Sequence, residues 1–199
     1  MAFNMPKLLY QGHGSIRLIS DDNRVVFVYP YKGKGYDAPA DLILVTHQHG
    51  DHNRIKRCAQ KPGCRLITNA EALAGGKHNS FDVDGIAIQA VEARNKNHDP
   101  KKCVGFIITI DGVKIYASGD TSTTSQMESF AAMELDYALF PGDGLFNMGL
   151  DEAAECARLI GAKHNIIVHL KPFASVRKNA EKWAAPNKLI LEPGQEIDL

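Results

Sequence analysis

The sequence predicts an α/β (α+β) fold, and three features carry that prediction. Apolar and β-branched runs fill the first half, helix and strand patterns alternate in the second, and strand candidates outnumber long helices. In order, KLLYQGHGSIRLIS reads as β-rich sequence, and so does RVVFVYP after the turn-forming Asp21-Asp22-Asn23. The unbroken apolar run LILVTH suggests a strand buried on both faces. RLIT is a further short strand, EALAGG a short helix stopped by glycines, and GIAIQAVEA an alternating strand. VGFIITIDGVKIYASGD reads as two strands joined at Asp111-Gly112, a strong hairpin signal. QMESFAAMEL reads as helix and DYALFPGDG as a strand entering a glycine-rich loop. LDEAAECARLIGAK is an amphipathic helix with Gly161 as its stop. Strand HNIIVHL, helix RKNAEKWAA and a closing strand pair around Pro193-Gly194 end the chain.

A chain of 199 residues suffices for one sizeable core, so a single domain over 1–199 is expected. Lys and Arg balance Asp and Glu at 23 each, which argues against nucleic acid as an obligatory partner. The clusters Lys32/Lys34, Arg54/Lys56/Arg57 and Lys101/Lys102 read as solvated surface. No apolar run is long enough to cross a bilayer, and MAFNMPKLLYQGHGS lacks the pattern of a secretory leader. Cys58, Cys64, Cys103 and Cys156 form no C-x-x-C pair, so free thiols and a cytoplasmic location are expected.

The segment His47-Gln48-His49-Gly50-Asp51-His52 carries the chemistry. It holds three of the eight histidines directly after a buried strand, a density that packing does not require. In extended backbone His47 and His49 would point to one face. After the turn at Gly50, Asp51 and His52 would approach from another direction. Neutral imidazoles and carboxylates suit Zn²⁺, with Mn²⁺ and Fe²⁺ also accommodated. Four ligand-type residues within six positions exceed what one ion takes from a tight turn. Two ions ~3.5–4 Å apart would use them all, and such a pair can hold a hydroxide nucleophile at neutral pH. Two further strands end in ligand-type residues, VKIYASG in Asp120 and NIIV in His169, and sheets of this class gather ligands at strand carboxyl ends. His98 lies in the polar stretch ARNKNHDPKK. Alone, each of these three reads equally well as a turn, core or loop residue.

HQHGDH matches the HxHxDH signature of the metallo-β-lactamase superfamily, and a later Gly-Asp and a strand-terminal His follow in the family's order. The segments GHGSIRL, NKNHDPKKCVGFIITIDGVKIYASGDT, LFPGDGLFNMGLDEAAE and LEPGQEIDL extend the likeness over nearly the whole chain. They resemble the branch of small stand-alone hydrolases that includes L-ascorbate-6-phosphate lactonase. The resemblance implies a four-layer αββα sandwich with two divalent ions, Zn²⁺ or alternatively Mn²⁺, at one edge between the sheets. It implies His47, His49 and His98 on one ion, Asp51, His52 and His169 on the other, and Asp120 bridging. His78 and His164 are the alternatives to His98. Asp51 and Asp120 are the expected catalytic carboxylates. The chain departs from the pattern at Tyr29-Pro30, where relatives often have Asp-Pro, and at Asn147, where Thr is common in the branch.

The implied activity is metal-dependent hydrolysis of a small-molecule lactone or related ester, with no membrane partner. Some relatives assemble as oligomers, which keeps a homo-oligomer open. A phosphodiesterase or nuclease would use the same site but would need a basic groove. A catalytically weak ligand-binding member of the fold is the third reading, which Tyr29 keeps open. His13, Thr121 and Asp143 are further pocket candidates, but they read more readily as a turn histidine, a helix cap and a loop acid.

Overall fold

The computed structural model describes residues 5–170 and 176–199; residues 1–4 of the opening segment lie outside it. Thirteen strands are described: β1 (Lys7–Gly12), β2 (Ser15–Ile19), β3 (Val25–Val28), β4 (Ala40–Val45), β5 (Gln60–Thr68), β6 (Ser80–Val83), β7 (Ile86–Glu92), β8 (Val104–Ile110), β9 (Val113–Ala117), β10 (Tyr137–Pro141), β11 (His164–Val168), β12 (Lys188–Leu189) and β13 (Gln195–Asp198). The α-helices are α1 (Asn69–Ala72), α2 (Met127–Phe130), α3 (Leu150–Ile160) and α4 (Val176–Glu181).

The strands form two sheets. One has the order β13-β1-β2-β3-β4-β5 and the other β12-β11-β10-β9-β8-β7-β6. Antiparallel hairpins open each sheet, whereas β3-β4-β5 and β9-β10-β11-β12 run parallel. Strand period decides which side chains face the other sheet. In β4, Leu42 and Leu44 enter the core between the sheets, while Ile43 and Val45 pack on the outer face with Phe27, Tyr36 and Cys58. The run LILV is therefore buried on both sides, as its lack of alternation predicts. In β11, Ile166 and Val168 point inward and Ile167 outward, onto the layer built by α2, α3 and Trp183. The outer face of the first sheet is covered more thinly, by the loop bearing Tyr36 and a 3-10 turn at Ile55–Arg57.

Several elements differ from the sequence expectation. The helix read in QMESFAAMEL is one α-turn continued by a 3-10 turn over Ala131–Met133, and EALAGG spans the end of α1 and a separate 3-10 turn over Ala74–Gly76. The strands flanking Pro193-Gly194 are not partners. β12 joins β11 in one sheet and β13 joins β1 in the other, so the chain crosses between the layers there. β6, Ser-Phe-Asp-Val, had no strong strand signal and forms by pairing with β7. α3 ends as its sequence dictates, with Gly161 in the left-handed region at φ 67 and its N–H donating to Ala157 O. All four cysteines are free.

Leu44 is fully buried at the centre of the inter-sheet core. Leu44→Ala should lower the unfolding free energy by about 2–5 kcal/mol, read from urea denaturation. A loss under about 1 kcal/mol would mean that this core is not the one that holds the sheets together.

Candidate metal centre

The carboxyl ends of β4, β9, β10 and β11, the loop after β7 and the β1–β2 turn meet at one edge of the sandwich. β4 stops at Val45, so His47 and His49 leave the sheet on a loop rather than on extended backbone. Their convergence comes from that loop, with ring centroids 4.6 Å apart and nearly perpendicular. Asp120 follows β9 through Gly119, which has φ +69 and whose Cβ, if present, would lie 2.6 Å from Val104 O; only glycine makes this turn. His169 follows β11 in the left-handed region at φ 50, with its N–H donating to His13 O at 2.7 Å. Tyr29 and His13 share that conformation, at φ 56 and 57. Three non-glycine residues in this region around one site store backbone strain of about 1–3 kcal/mol each.

All seven residues expected to meet do so. Ligand atoms of His47, His49 and His98 lie within 4.8 Å of one another, as do those of His13, Asp51, His52 and His169, and those of His47, His52 and Asp120. Asp120 reaches all the groups: its Oδ1 is 3.3 Å from His52 Nε2, and its Oδ2 is 3.3 Å from His98 Nε2 and 3.7 Å from His169 Nε2. His98 Nε2 also lies 3.3 Å from His49 Nδ1. The alternatives His78 and His164 are exposed and join none of these groups, and His164 stacks on Tyr137 instead.

The far side of several rings is held. Thr46 Oγ1 is 3.1 Å from His47 Nδ1, Asn95 Oδ1 is 2.9 Å from His98 Nδ1, and Asp143 Oδ2 is 3.0 Å from His169 Nδ1. Their Nε2 atoms face inward. Those of His47, His52 and His169 are buried without a hydrogen-bond partner, a costly state for polar atoms that suits metal coordination. The donor set, imidazoles and carboxylates without thiolate, fits Zn²⁺ or Mn²⁺.

Three residues outside the expected ligand set belong to this site. His13, in the β1–β2 turn, places Nε2 3.2 Å from Asp51 Oδ2 and its ring centroid 3.7 Å from that of His169. Asp143 backs His169; Gly142-Asp143 after β10 repeats Gly119-Asp120 after the neighbouring β9, a signal legible in the sequence. Tyr29 is the position at which the sequence departs from the pattern it resembles. Its phenol is buried beneath His52 and accepts the Gly119 N–H at 2.5 Å, steadying the turn that presents Asp120. Thr121 plays a structural part, its hydroxyl accepting the Arg94 N–H at 3.0 Å and so tying the loop after β7 to the end of β9.

Electrostatics follows burial and crowding. Burial, with His98 and His49 nearby, pushes the His47 imidazole down to about 3. Burial holds His52 well below its usual range and lowers His98. Burial also acts to lower His169, but the hydrogen bond to Asp143 and the charges of Asp120 and Asp143 outweigh it, and its pKa rises. Asp51 is lowered chiefly by its hydrogen bond to His13. Asp120 is raised by burial against the pull of His169 and His98. Burial raises the Tyr29 phenol well above 10, so it acts as a neutral hydrogen-bonding group.

An unfolded imidazole titrates near 6.5, so between about 6.5 and 3 the unfolded chain binds a proton that folded His47 excludes. His52 and His98 act in the same direction, and His169 and Asp120 oppose them. The metal-free protein should therefore lose stability as pH falls from 7.5 to 5, seen as a lower urea midpoint; a midpoint that rises on acidification would contradict this. Tyr29→Phe leaves the buried Gly119 N–H without its acceptor and should cost about 1–3 kcal/mol of stability, read from the same titration at pH 7.5.

Known proteins are similar to this chain in sequence and in fold. A family model described as beta-lactamase superfamily domain matches residues 7–169. The UPF0173 metal-dependent hydrolase of Methanospirillum hungatei is 30% identical over 97% of this chain and 99% of its own length. The UPF0173 metal-dependent hydrolase of Pyrococcus furiosus is 29% identical over 98% of this chain and all of its own. Among solved structures, a metallo hydrolase from Ignicoccus hospitalis superposes with a TM-score of 0.78 at 20% identity, covering 98% of this chain and 99% of that one, which shows the shared fold. With the two-sheet sandwich and the histidine-aspartate edge in place, the chain belongs to the metallo-β-lactamase superfamily, among relatives named metal-dependent hydrolases.

Proposed function

We propose that the chain is a metal-dependent hydrolase that binds two divalent ions, Zn²⁺ or alternatively Mn²⁺, and cleaves a small-molecule lactone or related ester. The single observation that carries this reading is the convergence of the buried, partnerless Nε2 atoms of His47, His52 and His169 beside an open cleft that His169 helps to line. His47, His49 and His98 would hold one ion, Asp51, His52 and His169 the other, and Asp120 would bridge them. Ions held there would supply Lewis acidity and a nucleophile at neutral pH.

The protein's own residues shape the rest. The cleft beside the centre is about 340 Å³, lined by His49, Asp51, Asn97, His98, Asp120, Phe146 and His169. That is the scale of a small-molecule site. Exposed Phe146 offers an apolar wall for the body of the substrate, and Asn97 an amide for its polar atoms. His13, on Asp51, stands where it could take or deliver a proton as the ester bond breaks. The zero net charge supports a small substrate over nucleic acid. A location in the cytoplasm and a soluble small-molecule partner complete the proposal; among the described residues no helix is long and apolar enough to cross a membrane.

Protein purified without added metal should contain about two ions per chain, and fewer after Asp120→Ala. One ion per chain, or no loss on that substitution, would sink the paired-ion reading. Across a panel of lactones, thioesters and phosphodiesters, turnover should favour the carboxylic esters and fall by at least 10²-fold in His49→Ala, since the ion does the activating chemistry. Turnover confined to phosphodiesters would instead favour the phosphodiesterase reading.

A further inference from the structure

His98 and His169 belong to different ligand groups of the centre, and a line of polar contacts, an ion pair followed by hydrogen bonds, joins the backs of their rings. Asp143 Oδ2 lies 3.0 Å from His169 Nδ1 and accepts from Asn147 Nδ2 at 2.8 Å. Asn147 Oδ1 accepts from Asn95 Nδ2 at 3.0 Å, and Asn95 Oδ1 lies 2.9 Å from His98 Nδ1. The direction of every link is forced. As a carboxylate Asp143 can only accept, and its Oδ1 takes the backbone N–H groups of Leu145 and Phe146 at 2.7 and 2.6 Å. Asn147 must therefore turn its NH₂ towards Asp143 and its oxygen towards Asn95. The orientation of Asn95 has an independent check: its Oδ1 accepts the Asn97 backbone N–H at 2.8 Å, so that atom is the oxygen. Facing that oxygen, His98 must carry its proton on Nδ1. Its Nε2 lone pair then points towards His49 and Asp120.

We propose that Asn95 and Asn147 are positioning residues that relay to His98 the tautomer Asp143 imposes on His169, so that one carboxylate presents both imidazoles as ligands. The relay spans segments about fifty residues apart in sequence and couples two strand-end loops. It rests on the reading of His98 and His169 as metal ligands in the preceding section. Outer partners of this kind set both the tautomer and the orientation of a ligating ring, and their loss typically weakens metal affinity by about 10–100-fold.

The test uses the metal-free protein labelled with ¹⁵N at histidine, together with Zn²⁺ titration against a chromophoric chelator. In the unsubstituted protein at pH 8, long-range ¹H–¹⁵N spectra should show His98 and His169 both as Nδ1–H tautomers. Asn147→Ala should leave His98 a mixture of tautomers and weaken uptake of the ion it holds by about 10–100-fold. Adding Asn95→Asp to Asn147→Ala should restore both signals, because a carboxylate at 95 accepts directly from His98 Nδ1. A loss of mere packing would not be rescued by that new charge. His98 protonated on Nε2 in the unsubstituted protein overturns the relay, as does unchanged affinity in Asn147→Ala or a double variant no tighter than the single one. Failure of the unsubstituted protein to take up Zn²⁺ would sink the ligand reading itself, and the His98 spectrum would still decide the relay on its own.

Discussion

Everything at the functional edge depends on holding several imidazole nitrogens out of water without giving them protein partners. Such atoms cost free energy when buried, and nothing local to HQHGDH could hold them so. The apolar layer between the sheets does it. Leu42 and Leu44 on one side, and Val104, Phe106, Ile166 and Val168 on the other, lock two sheets in register and leave their strand ends facing each other. The six-stranded sheet contributes His47 and His52; the seven-stranded sheet contributes Asp120 and His169. The site is thus a property of the packing between layers, and a shift of one sheet against the other would separate the two halves.

Orientation needs a second constraint, because a correctly placed ring with the wrong nitrogen inward is no ligand. Thr46, Asn95 and Asp143 each engage an Nδ1 and leave Nε2 turned inward. Tyr29 works at one remove, holding the Gly119 amide and with it the turn that aims Asp120. The neutral phenol at this position brings no charge to the site but supplies a hydrogen bond to the backbone of the metal-site turn. The left-handed backbone at His13, Tyr29 and His169 shows how much local strain the surrounding packing sustains to keep these groups together.

Much of this was legible in the chain. Strand after strand appears where the apolar runs put it, the Asp111-Gly112 hairpin forms, and Gly161 stops its helix. Other elements were hidden for physical reasons. β6 has a weak pattern and owes its state to pairing with β7, and β12 and β13 are too short for any pattern to assign them to separate sheets. At the site, the seven expected residues converge, but His13 and Asp143 read individually as turn and loop residues. Their roles come from neighbours far away in sequence, as do those of Asn95 and Asn147, which carry no chemistry until they meet.

HQHGDH by itself determined that metal-binding groups are present and of which kind, since residue type fixes donor chemistry and six adjacent positions guarantee proximity. Local patterning likewise determined the strands that deliver Asp120 and His169. Only the tertiary structure decided that His98, rather than His78 or His164, completes the cluster, that Asp120 reaches both groups of histidines, and which nitrogen each ring turns inward. Those depend on distances between strand ends on different sheets and on hydrogen bonds across fifty residues of chain. Hydrophobic packing sets both, and no short stretch of sequence contains it.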